Sequence, residues 1–363
     1  MLEDIRTPKE IISLKLRLIF YPFIFISTAF VLVFTFLHWQ FFLIHPGNVN
    51  EEVLDIWLPI ILSWIPVLIW LRPRIHLIDL KNKKGNLAVL VYMIAGFTIA
   101  GTTIGAQKYI ETATGKLTAL KSIKDINAFE ATKYYSLETH YTDNKNICFK
   151  NSSKVSGKHN NRLTFYIYIA CPIYDAAPAA DRSTDTGNET VVIGYGDVKA
   201  DTFKNVTDSI LVKVEAGDTI NEPDVSIFKP GAILPKAWLC FEYEKEISNK
   251  LSKVEEGSKW HAFYKNTYEN FYSKDLDSFV YLERLGNNKT RSEYRKALTN
   301  CNALQNVDSE IMLVPENKPF GERNGSTLTW TFVGFGIGAI LFLVLILSRK
   351  FNDDRLRKFL NVY

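Results

Sequence analysis

Four long apolar stretches stand out along the chain, separated by segments in which charged and polar residues are common. From Leu18 to Ile44 there is no Lys, Arg, Asp or Glu, and an α-helix needs roughly 20 apolar residues to cross the hydrocarbon of a bilayer. This run far exceeds the roughly 7 to 15 apolar residues of a cleaved signal peptide, and no small-x-small site follows it. It is therefore read as an anchor. Further spans are predicted at 53–71, 87–106 and 327–347, none with a charge inside its core. Pro59 and Pro66 each remove a backbone donor from span two and predict a kinked helix. The expected fold is an integral membrane protein with four transmembrane α-helices and one α+β domain inserted between spans three and four.

Charge gives these spans a direction. Residues 1–110 carry 10 Lys and Arg against 7 acids, residues 327–363 carry 5 against 2, and the remainder carries 28 against 30. The basic excess sits beside the spans, where lipid and topology account for it. Nucleic acid is thus not an expected partner. Arg6, Lys9, Lys15 and Arg17 precede span one, in a segment (1–17) that opens with a Thr7–Glu10 capping box around Pro8. Arg72, Arg74, Lys81, Lys83 and Lys84 fill the loop at 72–86, and Arg349, Lys350, Arg355, Arg357 and Lys358 lie in the tail at 348–363, whereas the loop from His45 to Glu52 has no Lys or Arg. Basic flanks resist translocation. Both termini are therefore expected in the cytoplasm and residues 107–326 outside it, in a plasma or inner membrane.

Within 107–326, β-rich runs predict strands at 163–171, 190–194, 209–214, 237–243, 279–285 and 311–314. Helical spacing of Trp260, Phe263, Tyr264, Tyr268 and Phe271 predicts a core-facing aromatic stripe in preference to a carbohydrate or lipid groove. A second helix is expected after Thr290, with Glu293 completing a capping box. Residues 176–188 read as a loop. Gly115-Lys116 does not continue as a phosphate loop, because Leu117 stands where Ser or Thr is required.

Candidate chemistry is sparse. Gly96, Gly101 and Gly105 in span three and Gly334 and Gly338 in span four have spacings that favour close helix packing, with a homo-oligomer through these spans left open. Carriers commonly use intramembrane acids, His or Lys, and here only His38 offers itself. Cys148, Cys171, Cys240 and Cys301 all fall in the 107–326 region, where disulfides are permitted with three pairings open, although buried free thiols are an equal alternative. No C-x-x-C occurs, and His140, His159 and His261 are scattered, so no metal or cofactor is expected. Asn151, Asn188, Asn205, Asn288 and Asn324 begin N-x-S/T sequons, which matter only in a eukaryotic secretory pathway.

The strings WLPIILSWIPVLIWLRPRIHLIDLKNKK at 57–84, AQKYIETATGKLTAL at 106–120, ATKYYSLETHY at 131–141, VSGKHNN at 155–161 and FVYLERLGN at 279–287 together resemble the N-terminal region of rhomboid-family proteins of Bacteroidetes. That resemblance implies a membrane-anchored extracytoplasmic region preceding an intramembrane serine protease. The protease needs a serine in a G-x-S-x setting and a histidine on another span. Ser27 and Ser63 lack the flanking glycine, and Ser156 with His159 sits in a polar turn, so no catalytic residue is carried over. The expected function is a non-catalytic accessory, sensing or interaction module of the cell envelope, with membrane lipid and a membrane or periplasmic protein as partners. The alternatives are a divergent or incomplete rhomboid protease and a small-molecule or ion carrier.

Overall fold

A computed structural model of the chain describes residues 7–43, 50–82, 85–176, 235–301, 303 and 310–362. The predicted strands at 190–194 and 209–214, nearly all of the predicted loop at 176–188, the sequons at Asn188 and Asn205, and Lys83 and Lys84 lie outside the described residues. The chain divides into two units, one made of residues 1–116, 286–288 and 318–363, the other of residues 117–285 and 289–317.

The first unit is helical. Its long elements are α1 (Pro8–Phe42), α2 (Val53–Ile75) and α3 (Leu87–Thr114). Later in the chain it adds α6 (Thr327–Leu347) and the short α7 (Asp353–Val362). Four of its helices are long and apolar enough to cross a membrane. The Thr7–Glu10 capping box forms, with the Thr7 hydroxyl accepting from the Glu10 N–H and the Glu10 carboxylate from the Thr7 N–H. Helix α1 then continues from Pro8 into the apolar run through a π turn at Leu16–Phe20. Helix α2 breaks at Ser63, between its two prolines, as the lost backbone donors require.

Helix α3 outlasts its apolar run. It continues to Thr114 because the hydroxyls of Thr112 and Thr114 donate back to the Lys108 and Ile110 carbonyls (3.0 and 2.7 Å). Arg323 then donates to the last carbonyls, those of Thr112 (2.9 Å) and Ala113 (2.8 Å). The second unit accordingly starts at Leu117, later than the expected boundary at residue 107.

The described residues of that second unit form an eight-stranded mixed sheet with a helix on each face. Its strands are β1 (Leu117–Ser122), β2 (Tyr134–Thr139), β3 (Tyr141–Thr142), β4 (Cys148–Ser156), β5 (Arg162–Tyr174), β6 (Ala237–Ser248), β7 (Tyr281–Arg284) and β8 (Ile311–Glu316). They run in the order β1-β2-β7-β8-β6-β5-β3, with β4 also pairing β5. The pairs β1–β2 and β8–β6 are parallel and the others antiparallel.

Successive side chains of a strand point to opposite faces, and in β5 both sets are buried. Ile167, Ile169, Cys171 and Ile173 join Leu239 and Leu313 beneath α4 (Lys253–Ser273), where Tyr268 and Phe271 are buried and Trp260, Phe263 and Tyr264 half-buried. The aromatic stripe is thus core. Tyr168 and Ala170 join Trp238, Cys240 and Met312 on the other face, beneath Tyr294, Ala297 and Leu298 of α5 (Lys289–Asn300). A sheet covered on both faces reads as a continuous apolar run rather than an alternating one, as ACPI and AWLC do.

The second predicted capping box does not form. Thr290 lies inside α5, and the Glu293 carboxylate accepts instead from Lys150 of β4 and from Lys296 (2.8 Å). The box that does form is Ser252–Glu255, at the start of α4.

Candidate functional site

Two ends of the helical unit differ in chemistry. At one end the basic clusters meet. Lys15, 4% exposed, donates to the carbonyls of Leu347 (3.2 Å) and Arg349, placing a cation at the negative end of the α6 dipole. Arg74 donates to the Leu18 carbonyl (3.1 Å). Ile78 and Phe351 form an antiparallel bridge, flanked by hydrogen bonds from Asp79 N–H to Lys350 O and from Asn352 N–H to Leu77 O (2.8 Å each). Arg355 of α7 reaches His76 Nδ1 at 2.7 Å. Burial, with Arg355 and Arg72 close by, pushes His76 below the ordinary imidazole range. Lys81 lies on a two-residue ribbon, Lys81–Asn82 against Gly85–Asn86, in the same connection. Segments far apart in sequence are thereby tied into one basic surface.

At the other end lies the most unusual chemistry of the unit. His38 Nε2 stands 3.1 Å from Asp55 Oδ1, with side chains 5% and 32% exposed. Each belongs to a locally widened helix: a π turn at Trp39–Leu43 follows His38, and another at Val53–Trp57 contains Asp55. Such turns are frequent at functional positions. Gln107 of α3, 1% exposed, extends its amide to the Leu54 carbonyl at 3.5 Å. Among the described residues, His38 Nδ1, Gln107 Oε1 and Thr35 Oγ1 are buried with no hydrogen-bond partner. By contrast, Thr98, Thr102 and Thr103 satisfy their hydroxyls on carbonyls four residues back (2.6, 2.7 and 2.8 Å). An unpaired buried polar group costs about 1–3 kcal/mol. His38, Asp55 and Gln107 thus bring polar groups together in an otherwise apolar unit.

Sequence reasoning singled out His38 and missed Asp55. Asp55 stands three positions into a predicted span, and its partner is on another helix; Asp at the opening of an otherwise apolar run was the available signal.

The glycines divide. A Cβ on Gly105 would meet Thr331 Oγ1 at 2.3 Å, and one on Gly338 would meet Thr98 Oγ1 at 2.1 Å. Thus Thr98 and Gly105 of α3 pack against Gly338 and Thr331 of α6, a seam spaced by seven residues on both helices. A Cβ on Gly96 would touch Trp64 of α2 at 3.4 Å, whereas one on Gly101 or Gly334 would meet nothing within 4 Å. Of each G-x-x-x-G pair, one glycine, Gly105 or Gly338, lies in this seam.

All four cysteines are buried and unbonded in this structure, with Cys148, Cys240 and Cys301 on the α5 face of the sheet and Cys171 on the α4 face. Among the described residues, no three His, Cys, Asp or Glu side chains converge as a metal site would need. Ser63 Oγ donates to Ile60 O (2.9 Å) within its own helix. His159 occupies the β4–β5 turn with a positive φ of 60°, after Gly157 at 84°. Comparison with known proteins finds no matching family model, no matching curated protein and no matching solved structure.

Proposed function

We propose that the chain is a multi-pass, non-catalytic sensing or interaction module of the cell envelope, with its basic end in the cytoplasm and its sheet unit outside. One observation carries this reading. The basic segments at the start of α1, from the end of α2 into the α2–α3 connection, and after α6 are hydrogen-bonded together at one end of the helical unit. The chain leaves that unit after α3 and returns before α6 at the end where Arg323 holds the Thr112 and Ala113 carbonyls. If basic ends stay in the cytosol, both termini are cytoplasmic and the sheet unit is translocated. Resemblance to the front region of rhomboid-family proteins supports an accessory role beside a membrane or periplasmic protein, and the exposed apolar helix faces call for lipid.

The topology test is proteolysis. Protease added outside spheroplasts should cut the sheet unit and spare the tail, and protection of the sheet unit until the membrane is opened refutes the reading. A serine-directed activity probe should leave the chain unlabelled in membranes; active-site labelling would favour the protease alternative.

The buried His38–Asp55 pair favours a second reading, a carrier of protons or small cations. Flux through purified chain in liposomes, abolished by Asp55→Asn, would establish it. Absence of flux across pH and cation gradients returns the cluster to a structural role.

A further inference from the structure

The sheet register limits which cysteines can be joined. Cys148 of β4 stands opposite Ala170 of β5, and Ala170 stands opposite Cys240 of β6. Cys148 and Cys240 are therefore two strands apart, roughly 9.6 Å at about 4.8 Å per strand. A disulfide needs Cα atoms within about 7 Å. Cys171 follows Ala170, so its side chain points to the opposite face of the sheet, among Ile169, Ile173 and Leu239. The pleat separates it from the other three cysteines.

Cys301 comes to Cys148 from the helix above. Glu293, Ala297 and Cys301 follow one another at four-residue intervals along one face of α5 and its C-terminal turn. On β4, Cys148 and Lys150 are alternate residues and share a face. The Lys150–Glu293 ion pair fixes one end of this crossing. At the other end, the Cys301 N–H is held by the Ala297 and Leu298 carbonyls (3.3 and 3.2 Å). Its Sγ lies 4.0 Å from the carbonyl oxygen of Ile147, the residue before Cys148. Cys148 and Cys301 are buried in the same cluster, whereas the Cys240 thiol turns to the Trp238 carbonyl at 3.7 Å.

We propose that Cys148 and Cys301 are joined by a disulfide that staples α5 to β4, and that Cys171 and Cys240 remain thiols. The bond rests on the extracytoplasmic placement proposed above, which supplies the oxidant: a protein or small-molecule disulfide. One cysteine thiolate attacks a sulfur of that disulfide and expels a thiolate, giving a mixed disulfide. The second cysteine thiolate attacks the mixed disulfide at the chain's own sulfur and expels the other thiolate. Two thiols of the chain lose two electrons and two protons, and the oxidant is reduced to thiols. Both cysteines are fully buried, so the exchange takes place before the sheet unit closes. Cys171 and Cys240 stay thiols because the pleat turns Cys171 to the opposite face and the Cys240 thiol points to the Trp238 carbonyl.

The test uses the full chain in cells. Free thiols are trapped under denaturing conditions with a polymer-tagged maleimide, with and without prior reduction, and a Lys265→Cys variant, at a side chain 67% exposed on α4, reports location through an impermeant maleimide added outside. Two tags on the native chain without reduction, four after it, and a peptide linking 148 to 301 are expected. With Cys301→Ser, the expected count is three tags with or without reduction. Peptide mapping of the native chain needs no variant and holds even if Cys301→Ser fails to fold. Four tags without reduction, or a link between any other pair, overturns the proposal while labelling at residue 265 keeps the location intact. Failure to label residue 265 from outside overturns the location, and with it the source of the oxidant.

Discussion

Phe25 and Phe271 both sit on long helices, yet Phe25 is 75% exposed and Phe271 fully buried. The contrast extends through their units. Outward faces of the long helices carry Leu32, Phe36, Ile61, Trp330 and Phe332, all more than half exposed, a surface compatible with hydrocarbon as its solvent. The sheet unit faces the other way, with large apolar side chains inside and ion pairs such as Lys150–Glu293 at the edge of the core. Between the helices, the α3–α6 seam is lined by small residues and satisfied hydroxyls beside buried apolar side chains such as Phe23 and Phe342, and burial there gains less, since lipid tails are as apolar as leucine. In the sheet unit, burial itself is the driving term.

Matched substitutions can break this comparison. Phe271→Ala should cost the sheet unit about 3–5 kcal/mol, whereas Phe25→Ala in lipid should change little. Thermal unfolding of the chain in nanodiscs measures both, and equal losses would mean that Phe25 is a core residue after all. The next largest effect concerns the helical seam. Gly338→Leu, forced against Thr98, should cost about 3 kcal/mol, at the upper end of overpacking. Gly334→Leu should stay within about 0.5 kcal/mol, and a reversed ranking in the same melts would move the seam to the G-x-x-x-G face.

A smaller effect sharpens the electrostatic side. Burial alone pushes the Glu293 carboxyl up, but hydrogen bonds and charge from Lys150 and Lys296 outweigh it and hold the group below its ordinary range. A depressed carboxylate stabilises fully above its unfolded value, near 4.3, and that stabilisation fades as pH falls through the folded value. Glu293→Gln should therefore cost roughly 1.5 kcal/mol at neutral pH. The gap to the native chain should close only below about pH 4, as read by pH-dependent denaturant melts; a gap that persists in acid would assign the loss to packing. The smallest effect is Lys15→Met, which removes the cation from the end of α6 and should cost about 0.5–1 kcal/mol in nanodisc melts. No change there would place Lys15 in solvent.

How much of this was legible in the sequence follows from where each signal resides. Apolar length and the Thr7–Glu10 box are local, and both were readable. Strand β4 was not, because KNSSKVS has no alternating apolar face; its nine residues are held by pairing with β5. Strands β1 and β2 were missed for a related reason: short, and rich in Thr, Ser and Lys, they gain their strand state from β7 and from each other. Ser252–Glu255 carried the same capping signal as Thr290–Glu293, and only the first was free to use it. Glu293 is drawn instead to a lysine 143 residues away. The His38–Asp55 pair shows the same limit at the candidate site, since each residue looks ordinary until two helices bring them to 3.1 Å.

The central claim is that the basic end faces the cytosol and the sheet unit does not. Single cysteines at Lys265 on α4 and Lys358 on α7, both exposed, can be tested with an impermeant maleimide on intact spheroplasts, because the native thiols are buried. The account predicts immediate labelling of Lys265→Cys and labelling of Lys358→Cys only after the membrane is opened. The reverse pattern, or labelling of both before opening, would contradict it.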